Sequence, residues 1–244
     1  MKRMMAKRMI IAGGTSGIGL ELVKLYVAAG WNVGVFGRNE KRLAELSAMS
    51  HLIRVKRIDV NADDAVALFE AFVEECGGMD LYFHSSGIGW YNTEAEADKE
   101  LDTAETNVKG FMKMVLAAYR YFCGRGGGHI AVISSIAGTK GLGAAPAYSA
   151  TKRFQNTYID ALAQNSRMRR MHVSFTDIRP GFVATPLLSG KRFPMLMDAG
   201  RVAEIIFRAL ERKKRRVTID FRYSVLVALW RCIPAWLWER LPVK

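Results

Sequence analysis

The chain has 244 residues, half of them apolar and 24% charged, which suits one large buried core and excludes a disordered polymer. Three scattered cysteines (Cys76, Cys123, Cys232) and four scattered histidines (His51, His84, His129, His172) argue against a disulfide framework and a metal site, and for a reducing, cytoplasmic compartment. The formal charge of +13 is concentrated in Lys2, Arg3, Lys7 and Arg8 and in the run Arg212 to Arg216, a field that favours a phosphorylated cofactor, acidic lipid or nucleic acid without sequence preference.

No apolar segment of signal-peptide length precedes the first motif. Residues 9–12 read as a short strand that ends in Gly13-Gly14-Thr15-Ser16-Gly17-Ile18-Gly19, and an amphipathic helix follows to a stop at Gly30. Strand, glycine turn and helix present backbone N–H groups and the positive end of a helix dipole to a phosphate. A purely structural turn is the plainer alternative. Residues 32–36 form the second strand, and Gly37-Arg38-Asn39 follows it. A carboxylate at this place binds a ribose 2′-hydroxyl, whereas an arginine accommodates a 2′-phosphate. Arg38 therefore favours NADP(H), with NAD(H) left open, although a solvated arginine opening the next helix would look the same.

The alternation continues without a linker. A helix is expected over 40–48, a strand over 52–58 leading into Asp59-Val60, and a helix over 63–75. The strand 80–83 ends in His84-Ser85-Ser86-Gly87, and a long helix over about 99–122 carries Asn107. The strand 129–133 ends in Ser134-Ser135. The next helix bears Tyr148 and Lys152 and reaches about residue 167, and the strand 172–178 ends in Arg179-Pro180-Gly181. This pattern predicts a single α/β domain, a Rossmann-like doubly wound parallel sheet with helices on both faces. Ligands in such sheets bind at the carboxyl ends of the strands, where every motif named here falls.

Tyr148 and Lys152 lie four residues apart, so a helix sets them on one face. A neighbouring ammonium favours the phenolate and is expected to lower the tyrosine from its reference near ~10. Such a tyrosine can hand a proton to a developing alkoxide and take it back. On the pentapeptide alone, a packed tyrosine beside a solvated lysine is the simpler explanation, and the rest of the chain has to displace it.

With these residues in order, the sequence resembles the short-chain dehydrogenase/reductase family over roughly residues 9–210. The glycine motif matches residues 13–19, and the catalytic tetrad matches Asn107, Ser135, Tyr148 and Lys152. The adenine-contacting aspartate matches Asp59, with Val60 beside it. The Pro-Gly-x-x-x-Thr segment that holds the nicotinamide carboxamide matches Pro180, Gly181, Val183 and Thr185, and the cofactor-approaching glycine matches Gly87. The resemblance implies reversible hydride transfer between NADP(H) and a carbonyl/alcohol pair. It makes Tyr148 the acid and base, and Ser135 the hydrogen-bond donor to the substrate oxygen. Lys152 tunes the tyrosine and binds the nicotinamide ribose, and Asn107 holds a water that links Lys152 to solvent.

The chain departs from the family in three places. Asn-Asn-Ala-Gly is His84-Ser85-Ser86-Gly87, which predicts altered bracing of the sheet; His84 reads as a buried, hydrogen-bonded histidine or, less simply, a proton relay. The threonine that opens the glycine motif is Ala12. No Asp-Gly-Gly ending follows a last strand at 217–220, so a homodimer is expected before the usual tetramer.

The segment 221–244, set apart from a domain over 1–220, holds three tryptophans and flanking cations, interrupted by Arg231 and Pro234. It suits a helix in a membrane interface, at the inner face of the membrane, or a cover packed on its own subunit or a dimer mate. It also resembles the tail of family members that reduce a keto-sugar carried on a polyprenyl phosphate. The loop 186–199, with Leu187, Leu188, Phe193, Met195, Leu196 and Met197, is expected to lid an apolar or lipid-like substrate. A non-catalytic NADP(H)-binding scaffold is the alternative outside catalysis. No motif supports specific nucleic-acid recognition.

Overall fold

Met9 and Ile11 of strand β1 (Arg8–Ala12) point into one apolar core, and Ile10 and Ala12 point into a second. That alternation is what a strand buried on both faces requires. The computed structural model describes residues 7–188 and 193–243. Six further strands follow: β2 (Asn32–Gly37), β3 (Ile53–Arg57), β4 (Leu81–His84), β5 (Gly128–Ile133), β6 (Val173–Pro180) and β7 (Arg216–Ile219). They form one parallel sheet in the order β3-β2-β1-β4-β5-β6-β7. The order reverses between β1 and β4, and Ala12 pairs with both Phe36 and His84 there. A doubly wound sheet opens its ligand crevice at that reversal.

The first core receives Leu22 and Val23 from α1 (Gly17–Ala28), Leu43 and Leu46 from α2 (Glu40–Met49), and Val202 and Ile206 from α7 (Ala199–Glu211). The second receives Phe69 and Phe72 from α3 (Ala65–Glu75), Phe111 and Met114 from α5 (Phe111–Gly124), and Ile159 from α6 (Pro146–Met168). Each such side chain contributes about 1.5–3 kcal/mol when fully buried, so the two cores dominate the fold's stability. Helix α4 (Ala97–Ala104) lies between α3 and α5 in sequence.

One expectation is revised, and two features go beyond the sequence reading. The single helix expected over 99–122 is α4, a π-type turn at Glu105–Gly110, and α5. Gly110 lets this turn sit against the loop after β3: a Cβ there would lie 2.7 Å from a Val60 methyl. Helix α7 was not among the expected elements. Asp198 caps it by accepting the Arg201 N–H at 2.9 Å. The basic run near residue 212 is not wholly solvated, because Arg215 and Arg216 both pair with Asp160 of α6, at 2.6 and 2.9 Å. Arg212, Lys213 and Lys214 remain exposed. Lys2 and Arg3 lie outside the described residues.

The C-terminal segment is α8 (Phe221–Cys232) followed by α9 (Ala235–Trp238), and it is docked on the domain. Tyr223 is fully buried, and Val227 and Trp238 are nearly so. Lys140 Nζ donates to the Ile233 carbonyl at 2.8 Å, and Trp238 Nε1 donates to the Gly141 carbonyl at 2.7 Å. The Tyr223 hydroxyl is shared between the Pro194 and Met195 carbonyls at 3.1 and 3.2 Å, so the helix also holds the far end of the expected lid. Lys244 lies outside the described residues.

Candidate active site

Backbone geometry builds the floor of the site at the end of β1. Gly13 and Gly17 have φ of 78° and 52°, in the left-handed region that glycine occupies without penalty. A Cβ on Gly13 would stand 2.8 Å from the Ser86 nitrogen, and one on Gly19 would stand 2.4 Å from the Gly13 carbonyl oxygen. Ser16 makes no side-chain cap and the first turn of α1 carries no acid, so the helix start keeps its N–H groups and positive dipole for an anion. A phosphate-bearing nucleotide fits this cradle. Gly17 also faces Thr185, whose Cγ2 would lie 2.9 Å from an added Cβ. The glycine turn and the segment 180–185 thus form two sides of one cleft.

Around that floor stand the remaining nucleotide candidates. Arg38 is exposed just past β2, beside Asn39, which caps α2 through the Arg42 N–H at 3.0 Å. Asp59 turns its carboxylate onto the Asn61 N–H at 3.0 Å, and Val60 is buried next to it. Thr15 lies beside Gly37, where a Cβ would be 3.8 Å from its methyl, and Ile18 is buried in the first core. Pro180 ends β6. Gly181 N–H donates to the Ile219 carbonyl at 2.9 Å, and Val183 bridges to Met197. The lid is therefore tied at its base. Phe193 stacks on Phe182 at 4.5 Å, and Met197 is buried, while Leu187, Met195 and Leu196 stay exposed. Residues 189–192 of the lid lie outside the described residues.

The tetrad residues meet at the carboxyl end of β5. Ser135 is nearly buried, and its Oγ accepts the Ala137 N–H at 3.1 Å, which leaves its proton for Tyr148. That hydrogen bond pulls the Tyr148 phenol down, but burial is the larger influence and holds it above its ordinary value. The expected lowering by Lys152 does not appear. The ammonium stands 5.6 Å from the centre of the Tyr148 ring and directs its hydrogens to the Ile133 carbonyl and Gln155 Oε1, both at 3.0 Å. Burial lowers Lys152 to about 8, while Asp177 works in the other direction. Asn107 is fully buried in the π-type turn. It donates to the Ile88 carbonyl at 2.7 Å and accepts the Ile88 N–H at 2.9 Å, which clamps the loop after β4. A Cβ on Gly87 would lie 3.1 Å from Asn107 Oδ1 and 3.6 Å from Lys152 Nζ, so Gly87 opens this corner.

Histidine 84 resolves in favour of bracing. Its Nδ1 lies 2.8 Å from the Tyr82 hydroxyl, its ring stands edge-on to Phe111 at 5.1 Å, and its Nε2 has no partner. Burial, with the nearby Lys152 charge, pushes its pKa down to about 3, so it stays neutral near pH 7 and does not take up protons there.

A family model described as short chain dehydrogenase matches residues 7–194. The chain belongs to the short-chain dehydrogenase family. It is accordingly an oxidoreductase. It is similar to an uncharacterized oxidoreductase of Myxococcus xanthus, 28% identical, with 96% of this chain and 95% of that one covered. Mouse dehydrogenase/reductase SDR family member 7B is 29% identical, with 92% and 77% covered. Among solved structures, a Burkholderia phymatum short chain dehydrogenase in complex with NAD superposes with a TM-score of 0.83 at 21% identity, covering 100% of this chain and 99% of that one. An actinorhodin polyketide ketoreductase with NADPH gives 0.76 at 24% identity, covering 88% and 95%. At these identities the structures show the shared fold.

In this short-chain dehydrogenase, four residues that the motifs do not name complete the site. Gln155 bridges the tetrad: its Oε1 accepts from Lys152, and its Nε2 donates to the Asn107 carbonyl at 2.9 Å. Asp177 is fully buried between Ser134, which donates to it, and Arg179 at 2.6 Å. Glu100 of α4 accepts the Ala147 N–H at 2.7 Å with one oxygen and Asn92 Nδ2 at 2.7 Å with the other. It thereby caps the helix that carries Tyr148, whose own cap position, Ala145, makes no side-chain bond. Gly89 lies against the Tyr148 ring, where a Cβ would approach a ring carbon to 2.4 Å. Only Gln155, three residues after Lys152, carried a sequence signal, since the i, i+3 spacing places them side by side.

Proposed function

We propose that the chain is an NADP(H)-dependent reductase that interconverts a carbonyl compound and an alcohol, with Tyr148 as general acid and base. The observation that carries the reading is the convergence of Ser135, Tyr148, Lys152 and Asn107 at the end of β5, beside the glycine cradle of β1. Solved neighbours bound to NADPH, NAD and NADH support a nicotinamide cofactor, and Arg38 favours the phosphorylated form. Residues 13–19 would hold the pyrophosphate, Asp59 and Val60 the adenine, Gly87 and Lys152 the nicotinamide ribose, and residues 180–185 the carboxamide. The nicotinamide, when bound, supplies or accepts the hydride.

The chain does the rest. Burial keeps the Tyr148 phenol protonated near neutrality, ready to donate to a carbonyl oxygen. Ser135 sits within hydrogen-bond reach of the phenol, so the same oxygen can be gripped by both hydroxyls. Lys152 is charged at neutral pH, and its ammonium, fixed by the Ile133 carbonyl and Gln155, would grip the nicotinamide ribose.

Side-by-side titration of NADPH and NADH tests the cofactor, with Arg38→Ala as control. The variant is expected to lose roughly 10- to 100-fold in NADPH affinity and little in NADH affinity, as for one charge-assisted phosphate contact. Equal loss for both would refute the role of Arg38. A carbonyl panel then reads the substrate; tight NADPH binding without turnover would favour the scaffold reading. Exposed Leu187 and Leu196 on the lid, with the apolar outer face of α8, favour a lipid-carried carbonyl such as a keto-sugar on a polyprenyl phosphate.

A further inference from the structure

Helix α8 is apolar on both faces. Tyr223 and Val227 turn inward onto the domain, and Phe221, Val225, Ala228 and Leu229 turn outward. Phe221 is 80% exposed and Leu229 60% exposed, and Trp236 of the following turn is 61% exposed. Three large apolar side chains so open on neighbouring helices form a patch rather than scattered exceptions.

The charge around it selects the occupant. Residues 220–243 hold three arginines, Arg222, Arg231 and Arg240, against two acids, Asp220 and Glu239; Arg222 pairs with Asp220 at 2.9 Å, which leaves Arg231 and Arg240 as the cations without an ion-pair partner among the described residues. A second copy seated on the face would bring like charges together. An anionic surface would be complementary. Among the described residues no helix is long and apolar enough to cross a membrane, and the 12 residues of α8 span only about 18 Å. The guanidinium of Arg240 lies 5.7 Å from the centre of the Trp236 ring, which keeps an aromatic ring and a cation side by side, as the water–lipid boundary favours. We propose that α8 and α9 lie flat on an anionic bilayer, with Phe221, Val225, Leu229 and Trp236 in the acyl boundary and Arg231 and Arg240 among the headgroup phosphates. Through the inward bonds of Tyr223 to the Pro194 and Met195 carbonyls, the docked helix is joined directly to the lid of the site.

The inference deepens the lipid-carried substrate reading but stands on this face alone, so a protein that binds bilayers and reduces nothing would refute only the reductase reading. The test floats the full-length protein with vesicles of phosphatidylcholine alone and with vesicles enriched in phosphatidylglycerol. Two doubly substituted proteins, Val225→Glu with Leu229→Glu and Arg231→Glu with Arg240→Glu, leave Tyr223, Val227 and Trp238 untouched; circular dichroism and light scattering report their fold and assembly. The native protein is expected to float with the phosphatidylglycerol vesicles and much less with phosphatidylcholine. The apolar pair should cut partitioning by at least about tenfold, and the charge pair should remove about fivefold per cation. A native protein that floats with neither vesicle, or variants that float as it does, would overturn the proposal. So would an apolar-pair variant that turns a dimer into a monomer while the native chain ignores vesicles, because the face would then belong to a second copy.

Discussion

The end of β5 and the α8–α9 cover lie against the same segment of chain, yet they are held in different ways. Ser135, Lys152 and Asn107 each hydrogen-bond to backbone, and Gln155, Ser134 and Asp177 tie the surrounding side chains together. The cover is anchored by a few large aromatic side chains that pack as well as hydrogen-bond: Tyr223 over Gly181, Trp238 donating to the Gly141 carbonyl, and Trp230 edge-on to Trp238 at 5.2 Å. A network of short polar bonds sets positions to fractions of an ångström and loses function when one is moved. A cover resting on a few large rings loses stability before it loses chemistry.

Four substitutions and one titration would break or sharpen that contrast. Gly89→Val pushes side-chain atoms into the Tyr148 ring, and a displacement of that size is expected to cost about 100-fold in kcat, beyond the loss of about 1–3 kcal/mol in stability that the overpacking brings. Unaltered turnover would show that the ring position is not critical. Gly181→Ala places a methyl 2.3 Å from the Tyr223 ring and should cost about 1–3 kcal/mol of stability as α8 is forced outward. Thermal unfolding measures it, and a loss confined to kcat would erase the distinction between the two regions. Gln155→Ala removes one acceptor from the Lys152 ammonium and leaves the Asn107 carbonyl without its donor. It should lower kcat roughly tenfold and move the alkaline limb of the rate profile to lower pH, whereas a purely structural role would leave that limb in place. Trp238→Phe gives up one hydrogen bond, at about 1 kcal/mol and a drop of about 2–4 °C in Tm, with kcat intact.

The titration concerns Lys152, whose folded pKa of about 8 lies below its ordinary value of 10.5. Between these values the unfolded chain binds more protons than the folded one. Stability should therefore rise as pH increases from about 8 toward 10.5, and Lys152 contributes no slope below pH 8, where it is charged in both states. Lys152→Met should abolish this rise in denaturant melts at constant salt.

The two regions were also unequally legible. The parallel sheet, the glycine turn at Gly13 and the pairing of Tyr148 with Lys152 on one helix face follow from local signals (short apolar runs, glycine turns and an i, i+4 spacing), while Ser135 was picked out by the family resemblance. The direction of the Tyr148 shift did not, because burial and the choice of partners by Lys152 are set by residues far away in sequence. Glu100 and Gly89 were invisible for the same reason. An acid on an amphipathic helix reads as solvated until its helix is seen against the start of α6, and a glycine in a loop says nothing about the ring above it. The composition of α8 showed that it is apolar, but only packing could show which face Tyr223 takes and which is left outward.

Single-turnover oxidation of NADPH, followed by stopped flow with a substrate from the carbonyl panel, tests the central claim most directly when the native protein is set against Tyr148→Phe. The phenylalanine keeps the ring and removes only the transferable proton. A fall of roughly 100- to 10,000-fold in the hydride-transfer rate, with NADPH affinity within about twofold, is the result expected for the loss of a general acid. A variant that oxidises NADPH at the native rate would contradict it.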